Sequence, residues 1–99
     1  MEKIPVEIQK DCRFILFEMG KEVLGFPYSS IQKINWVQLD TDFKEVLEII
    51  WSDCIMKIQG LELRRLFLHF QKDEVFLVRK GILSGLSIEN IFCEIFEKD

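Results

Sequence analysis

The sequence predicts an α+β domain: an antiparallel meander of about five to six strands, one amphipathic helix at about residues 61–72, and a C-terminal helix or strand. Apolar and polar residues alternate through the first two-thirds of the chain, as is typical of strands. After Gly60 the apolar period changes to that of a helix. The length of 99 residues suits a single domain, 1–99.

The first predicted hairpin joins two apolar segments. The segment "CRFILFEM", from Cys12 to Met19, is rich in Phe, Ile and Leu, and Gly20–Lys21 predicts a tight reversal into "EVLGF". Pro27 has no backbone donor, so the strand there is expected to be interrupted or to lie at a sheet edge. The chain then resumes as a partly covered strand in "SSIQKINWVQL", followed by a polar link over 40–44.

The clearest hairpin is predicted in "VLEIIWSDCIMKIQG", with its turn at Ser52–Asp53. Side chains two residues apart lie on the same face of a strand. One apolar face of this hairpin is therefore expected to comprise Leu47, Ile49, Trp51, Cys54, Met56 and Ile58.

The helix is predicted from Leu61 to Lys72. Its apolar residues lie at i, i+3, i+4 and i+7, on one stripe of a helix. These residues are Leu63, Leu66, Phe67 and Phe70. The segment "EVFLVRK" after it is expected to be a strand that returns to the sheet, and "GILSG" is expected to be a loop.

The last segment, "LSIENIFCEIFEKD", fits two structures. A helical stripe, which Ser87 could cap, would contain Ile88, Ile91, Phe92, Ile95 and Phe96. The alternation of Ile91, Cys93 and Ile95 fits a strand instead. The helix is the preferred prediction, and the strand is the alternative.

Charge and cysteine content indicate the cellular setting. The net charge of −4 and the pI of about 5.0 do not favour attraction to nucleic acid or to an anionic membrane. No apolar segment is long enough for a signal peptide or a membrane span. The three cysteines are dispersed and odd in number, which favours reduced thiols. The expected location is the cytoplasm.

Arg65, His69 and Lys72 form the polar face of the predicted helix and are the candidate binding face. They could bind an anion or a partner, but a face exposed to water is the preferred interpretation. A nucleic-acid site would need aromatic side chains beside these basic groups. The helical period instead places Phe67 and Phe70 on the opposite face, so nucleic acid is not an expected partner.

No catalytic, cofactor-binding or metal-binding residue is predicted. The residues at i±3 and i±4 from His69 are Leu66, Arg65, Lys72 and Asp73, and the two basic residues among them would not orient the ring as a general base. The cysteines and the histidine lack the spacing of a metal site, and the glycines lack that of a phosphate-binding loop. A non-enzymatic role is therefore expected.

Nine Phe and two Trp are a heavy aromatic load for one small core, which suggests apolar surface for a partner. The leading expectation is a protein-interaction domain that forms a homo-oligomer, with Phe92 and Phe96 as the candidate interface. The alternatives are a module with an apolar cavity for a small molecule or lipid, and an anion or nucleic-acid binder. "GFPYSSIQKINW" is either a recognition edge or, preferably, a bent strand with Phe26 and Trp36 in the core.

Overall fold

The computed structural model describes residues 4–39 and 44–96. Within these ranges it contains nine strands, one α-helix and a short 3₁₀ helix at Tyr28–Ser30. In chain order the main elements are β1 (Val6–Ile8), β2 (Phe14–Met19), β3 (Glu22–Pro27), β4 (Lys33–Gln38), β5 (Glu45–Ile50), β6 (Cys54–Leu61), α1 (Leu63–Gln71), β7 (Val75–Val78), β8 (Gly81–Leu83) and β9 (Leu86–Ile95).

The strands form two sheets. The first sheet has the order β1-β7-β2-β3, in which β2 and β7 are parallel and the other pairs antiparallel. The second sheet has the order β4-β5-β6-β9-β8 and is antiparallel throughout. Helix α1 packs against β4 and β5 of the second sheet and against β7 of the first. The predicted α+β class with an antiparallel meander is confirmed, and the meander is β4-β5-β6.

The hairpin of β5 and β6 forms one wall of the core. All six residues predicted for its apolar face are buried. Trp51, just after β5, packs edge-on against Phe17 of β2, with ring centroids 6.3 Å apart. The Trp51 indole N–H donates to the Pro27 carbonyl oxygen at 2.9 Å. One aromatic side chain therefore joins the two sheets and satisfies its own polar group there.

The predicted hairpin of β2 and β3 is also confirmed. Met19 pairs with Glu22 across the turn at Gly20–Lys21, and Gly20 has a φ of +64°. A residue without a Cβ adopts this left-handed conformation at little cost. Pro27 is the last residue of β3, which is an edge strand. This position was predicted because proline has no backbone N–H to donate.

Helix α1 begins without a side-chain cap of its own. Glu62 precedes it in the left-handed conformation, with a φ of 61°. The cap comes from Glu45 on β5, whose carboxylate accepts hydrogen bonds from the backbone N–H groups of Glu62 (2.8 Å) and Leu63 (3.0 Å). The same carboxylate accepts the Trp36 indole N–H at 2.6 Å. The start of the helix is therefore set by a residue distant in sequence.

The preferred prediction for the last segment was wrong, because it forms strand β9 and not a helix. Its apolar residues fit either period, and pairing with β6 decides between them. Ile91, Cys93 and Ile95 lie opposite Ile58, Met56 and Cys54, respectively. This register satisfies the backbone on the β6 side and places Ile91 in the core.

The prediction that "GILSG" is a loop was also wrong. Gly81–Leu83 is strand β8, and Leu83 pairs with Leu86 across a two-residue turn. Ser84 (φ 48°) and Gly85 (φ 91°) both have a positive φ, as a tight hairpin turn of the primed type requires. The strand predicted after the helix is confirmed as β7, although it enters the first sheet. Residues 40–43 of the predicted polar link lie outside the described residues.

Candidate functional site

A pocket of about 230 Å³ lies between β1, α1 and the turn that joins β8 to β9. We call it the helix-face pocket. Arg65 and His69 on α1 and Ser84 in the turn supply its polar groups. Its apolar lining comes from all three elements and consists of Val6, Ile8, Leu66, Leu83 and Leu86. The polar face of the helix thus borders an apolar hollow as well as solvent.

Arg65 is a cation without an acidic partner among the described residues. Its guanidinium Nη1 donates one hydrogen bond, to the Ser84 carbonyl oxygen at 3.4 Å. That contact is long for a hydrogen bond, and it leaves most of the guanidinium donors unused. Arg65 therefore has hydrogen-bond donors available at the pocket.

His69 has an orienting carboxylate that sequence analysis missed. Its Nδ1 lies 3.1 Å from Oε1 of Glu74, five residues later in the chain. Asp73, in the left-handed conformation with a φ of 55°, reverses the chain after the helix. The backbone N–H of Glu74 then donates to the His69 carbonyl oxygen at 3.1 Å. A search confined to helical spacings could not find this partner, because it lies beyond the end of the helix.

Lys72 does not join the other two basic residues. It is the exposed residue that caps the end of α1, where φ changes to −102°, and it is absent from the lining of the pocket. The helix therefore brings together Arg65 and His69 of the candidate binding face and leaves Lys72 apart.

The second surface is the outer edge of β9. Strand β8 pairs only with residues 86–88 of β9, and within the described residues β6 is the sole strand paired with 90–95. The Phe96 N–H donates to the Asp53 carbonyl oxygen at 2.8 Å, and such bonds recur at every second residue of an antiparallel ladder. The backbone groups of Ile91, Cys93 and Ile95 therefore point away from β6.

Apolar side chains flank this edge. Ile95 is 76% exposed, Phe92 46% and Phe96 42%. Phe92 and Phe96, the candidate interface, are an even number of residues apart in extended chain and share a face. A shallow groove at the edge is lined in part by Met19, Phe92 and Cys93, so this side of the strand is accessible.

Other sheet edges carry protective features that β9 lacks. Strand β3 ends in Pro27, β4 begins with Lys33, and β1 and β8 are three residues long each. Proline, lysine and short length are common means of preventing edge-to-edge pairing. Residues 89–96, "ENIFCEIF", contain no Pro, Lys or Arg, and their charged residues are Glu89 and Glu94. Of the edge segments that the structure describes, this one is the least protected by those means.

The side chains of the three cysteines are buried or half-buried. The three cysteines are free, and burial raises the pKa of the Cys54 thiol to about 11, so it is protonated at neutral pH.

Phe26 packs on Trp51 with ring centroids 4.6 Å apart, and Trp36 is half-buried beside α1. Both aromatic side chains are partly buried against the core, but the predicted bent strand is in fact two strands, β3 and β4, which lie in different sheets.

Comparisons with protein-family models, with curated proteins and with solved structures found no match to this chain. In the part of the chain that the structure describes, no group of three or more His, Cys, Asp and Glu side chains is placed to hold a metal ion. Over the same residues, no helix has the length and apolar character needed to cross a membrane.

Proposed function

We propose that this protein is a non-enzymatic protein-interaction domain that self-associates through the outer edge of β9. The observation that carries the proposal is the edge of residues 90–95, which pairs with no described strand other than β6 and is flanked by the exposed side chains of Phe92, Ile95 and Phe96. Exposed strand edges pair readily with other strands because their backbone donors and acceptors lack protein partners. An additional strand would satisfy them and cover apolar surface.

A second copy of the chain is the occupant that fits this edge. Two copies of a strand pair antiparallel about a two-fold axis. Side chains that lie opposite each other must be on the same face of the sheet, so the axis must pass between one residue and the same residue of the second copy. An axis at Cys93 places Ile91 opposite Ile95 of the second copy and Phe92 opposite Glu94 of the second copy. An axis at Glu94 would instead bring two carboxylates together, which is unfavourable.

The proposed dimer extends the five-stranded second sheet across the axis. Backbone hydrogen bonds from Ile91, Cys93 and Ile95 hold the copies together, and burial of Ile95 adds a hydrophobic contribution. Pairing of one strand edge buries less than the roughly 1,200–2,000 Å² typical of stable interfaces. The dimer is therefore expected to dissociate on dilution.

The first experiment measures molar mass by light scattering or sedimentation equilibrium over a range of concentrations, in reducing buffer. The wild-type protein should pass from monomer to dimer as concentration rises. Ile95→Lys should remain a folded monomer, because this exposed side chain contributes little to the core and a lysine at a strand edge opposes pairing. Ile82→Lys is the matched control, since Ile82 is 69% exposed on β8 of the same sheet, and it should dimerise like the wild type.

Two results would contradict the proposal. One is a wild-type monomer at every concentration, and the other is a dimer that Ile95→Lys leaves intact. A short thiol cross-linker tests the register separately, because an axis at Cys93 brings the two Cys93 residues to Cα atoms about 5.5 Å apart. Cross-linked dimer should form in the wild type and be lost in Cys93→Ser, which retains Cys12 and Cys54.

A further inference from the structure

We infer that the helix-face pocket binds a small carboxylate with a short apolar chain. This binding function is separate from self-association and uses none of the residues of the proposed dimer. The inference is based on the residues that line the pocket. Five of them are apolar, and the lining also includes the guanidinium of Arg65, which has no acidic partner among the described residues.

The volume limits the size of the ligand. A pocket of about 230 Å³ is below the roughly 300–1,000 Å³ of sites for drug-sized ligands. A water molecule in the liquid has a share of about 30 Å³, so the pocket has room for about eight non-hydrogen atoms. A carboxylate with a chain of five or so carbons, such as hexanoate, has this size. A long-chain lipid would extend well beyond this volume.

The apolar lining favours a hydrocarbon chain. Val6 and Leu66 are buried at the base of the pocket, whereas Ile8 and Leu83 are about half-exposed. A ligand chain that covers Ile8 and Leu83 removes apolar surface from water without displacing any side chain of the core. The lining comes from three elements that the fold already holds together, so little ordering is needed when the ligand binds.

The polar groups favour a carboxylate head. The planar guanidinium of Arg65 matches a carboxylate in a two-bond arrangement, and Arg65 is one of the residues that line the pocket. His69 also lines the pocket, and because its Nδ1 is engaged by Glu74, Nε2 is the ring nitrogen left for a ligand. Glu74 adds a negative charge behind the ring, which repels a dianion such as phosphate more strongly than a carboxylate.

The test is an NMR titration of the full chain with sodium hexanoate. Saturable shifts are expected for the Leu83 and Leu86 methyl groups and the His69 ring. Two probes separate the parts of the ligand: 1-hexanol keeps the chain without the charge, and acetate keeps the charge without the chain. Both should bind at least about tenfold more weakly, because each lacks one of the two interactions.

Matched variants assign the head group. Arg65→Gln should weaken hexanoate binding at least about tenfold, since a charge-assisted hydrogen bond is lost. Arg64→Gln is the control: Arg64 is the neighbouring exposed arginine, its guanidinium lies 6.0 Å from the Trp36 ring, and it is not part of the pocket lining. Leu83→Ser should weaken binding without unfolding the protein, because Leu83 is exposed.

The inference is overturned if hexanol binds as tightly as hexanoate, if Arg65→Gln binds like the wild type, or if the shifts do not saturate. Ile95→Lys separates this inference from the proposed dimer. That variant should bind hexanoate with wild-type affinity, because Ile95 lies at the far end of β9 from Leu86. Loss of dimerisation with retention of hexanoate binding is the expected result.

Discussion

Tyr28 connects two parts of the first sheet through a single hydroxyl. The hydroxyl donates to the Val75 carbonyl oxygen at 2.7 Å and accepts from the Val75 N–H at 2.8 Å. Both backbone groups of this buried residue are thus satisfied by a side chain from the 3₁₀ turn. Tyr28→Phe should lower the free energy of unfolding by about 2–3 kcal/mol, because it leaves two backbone groups without that partner. Urea denaturation measures the change, and an unaltered midpoint would contradict it.

The same residue gives the stability a dependence on pH. Burial raises the pKa of Tyr28 above its usual value. The unfolded chain therefore loses this proton at a lower pH than the native protein, and stability declines as pH rises above about 10. Tyr28→Phe should show a shallower decline over that range. If the free energy of unfolding falls equally steeply with pH in the two proteins, the role assigned to Tyr28 is contradicted.

Glu45 combines two structural tasks in one carboxylate. It caps α1 and accepts the Trp36 indole N–H. In Glu45→Gln the side-chain amide cannot accept at both positions, and the charge favourable to the helix N-terminus is lost. We expect a loss of about 1–3 kcal/mol in the free energy of unfolding, measured by urea denaturation. Glu48→Gln, at a half-buried position on the same strand, is the control and should change stability little.

At the scale of elements, Gly60 determines how closely β9 can approach β6. A Cβ at this position would lie 1.7 Å from the Ser87 carbonyl oxygen, and backbone cannot be displaced as a flexible side chain can. The register between the two strands shifts at the same place, between Gln59 and Gly60. Gly60 therefore permits the close crossing that brings Ile88 into the core.

Gly60→Ala should lower the free energy of unfolding by about 3 kcal/mol or more, because the strands must separate to admit the methyl group. Thermal denaturation measures the effect. Gly25→Ala is the matched control, since a Cβ there meets only the Leu16 Cδ2 methyl at 3.3 Å. Similar losses in the two variants would contradict the role assigned to the close approach at Gly60.

Strand β9 also shows why local patterns can mislead. Its apolar residues satisfy a helical stripe and a strand alternation equally well. The strand forms because β6 presents a complementary row of buried side chains, and β8 forms beside it through a tight turn. A partner that lies about thirty residues away is not visible in a window of ten, so the period alone could not decide.

In the whole molecule, the two proposed surfaces share one strand without overlapping. The helix-face pocket includes Leu86 at the start of β9, and the proposed dimer edge runs from Ile91 to Phe96. The residues of the proposed dimer edge and the residues that line the pocket are different. The arrangement permits independent binding and assembly, which the experiments with Ile95→Lys and Arg65→Gln measure separately.

The sequence by itself determined the elements that depend on near neighbours. Turn residues and apolar periods were enough for the β2–β3 and β5–β6 hairpins, the helix and the strand after it, because each buries one face whatever surrounds it. Residue type and position were also enough to select Arg65, His69, Phe92 and Phe96 as candidate site residues.

Only the tertiary structure decided what depends on distant pairing. The parallel contact of β2 with β7, the strand at β9, the Glu45 cap and the His69–Glu74 contact all join residues whose spacing matches no local period. The helix-face pocket likewise exists because β1 and the β8–β9 turn converge on α1. The physical reason is that packing and backbone pairing select among structures that local propensity leaves nearly equal in free energy.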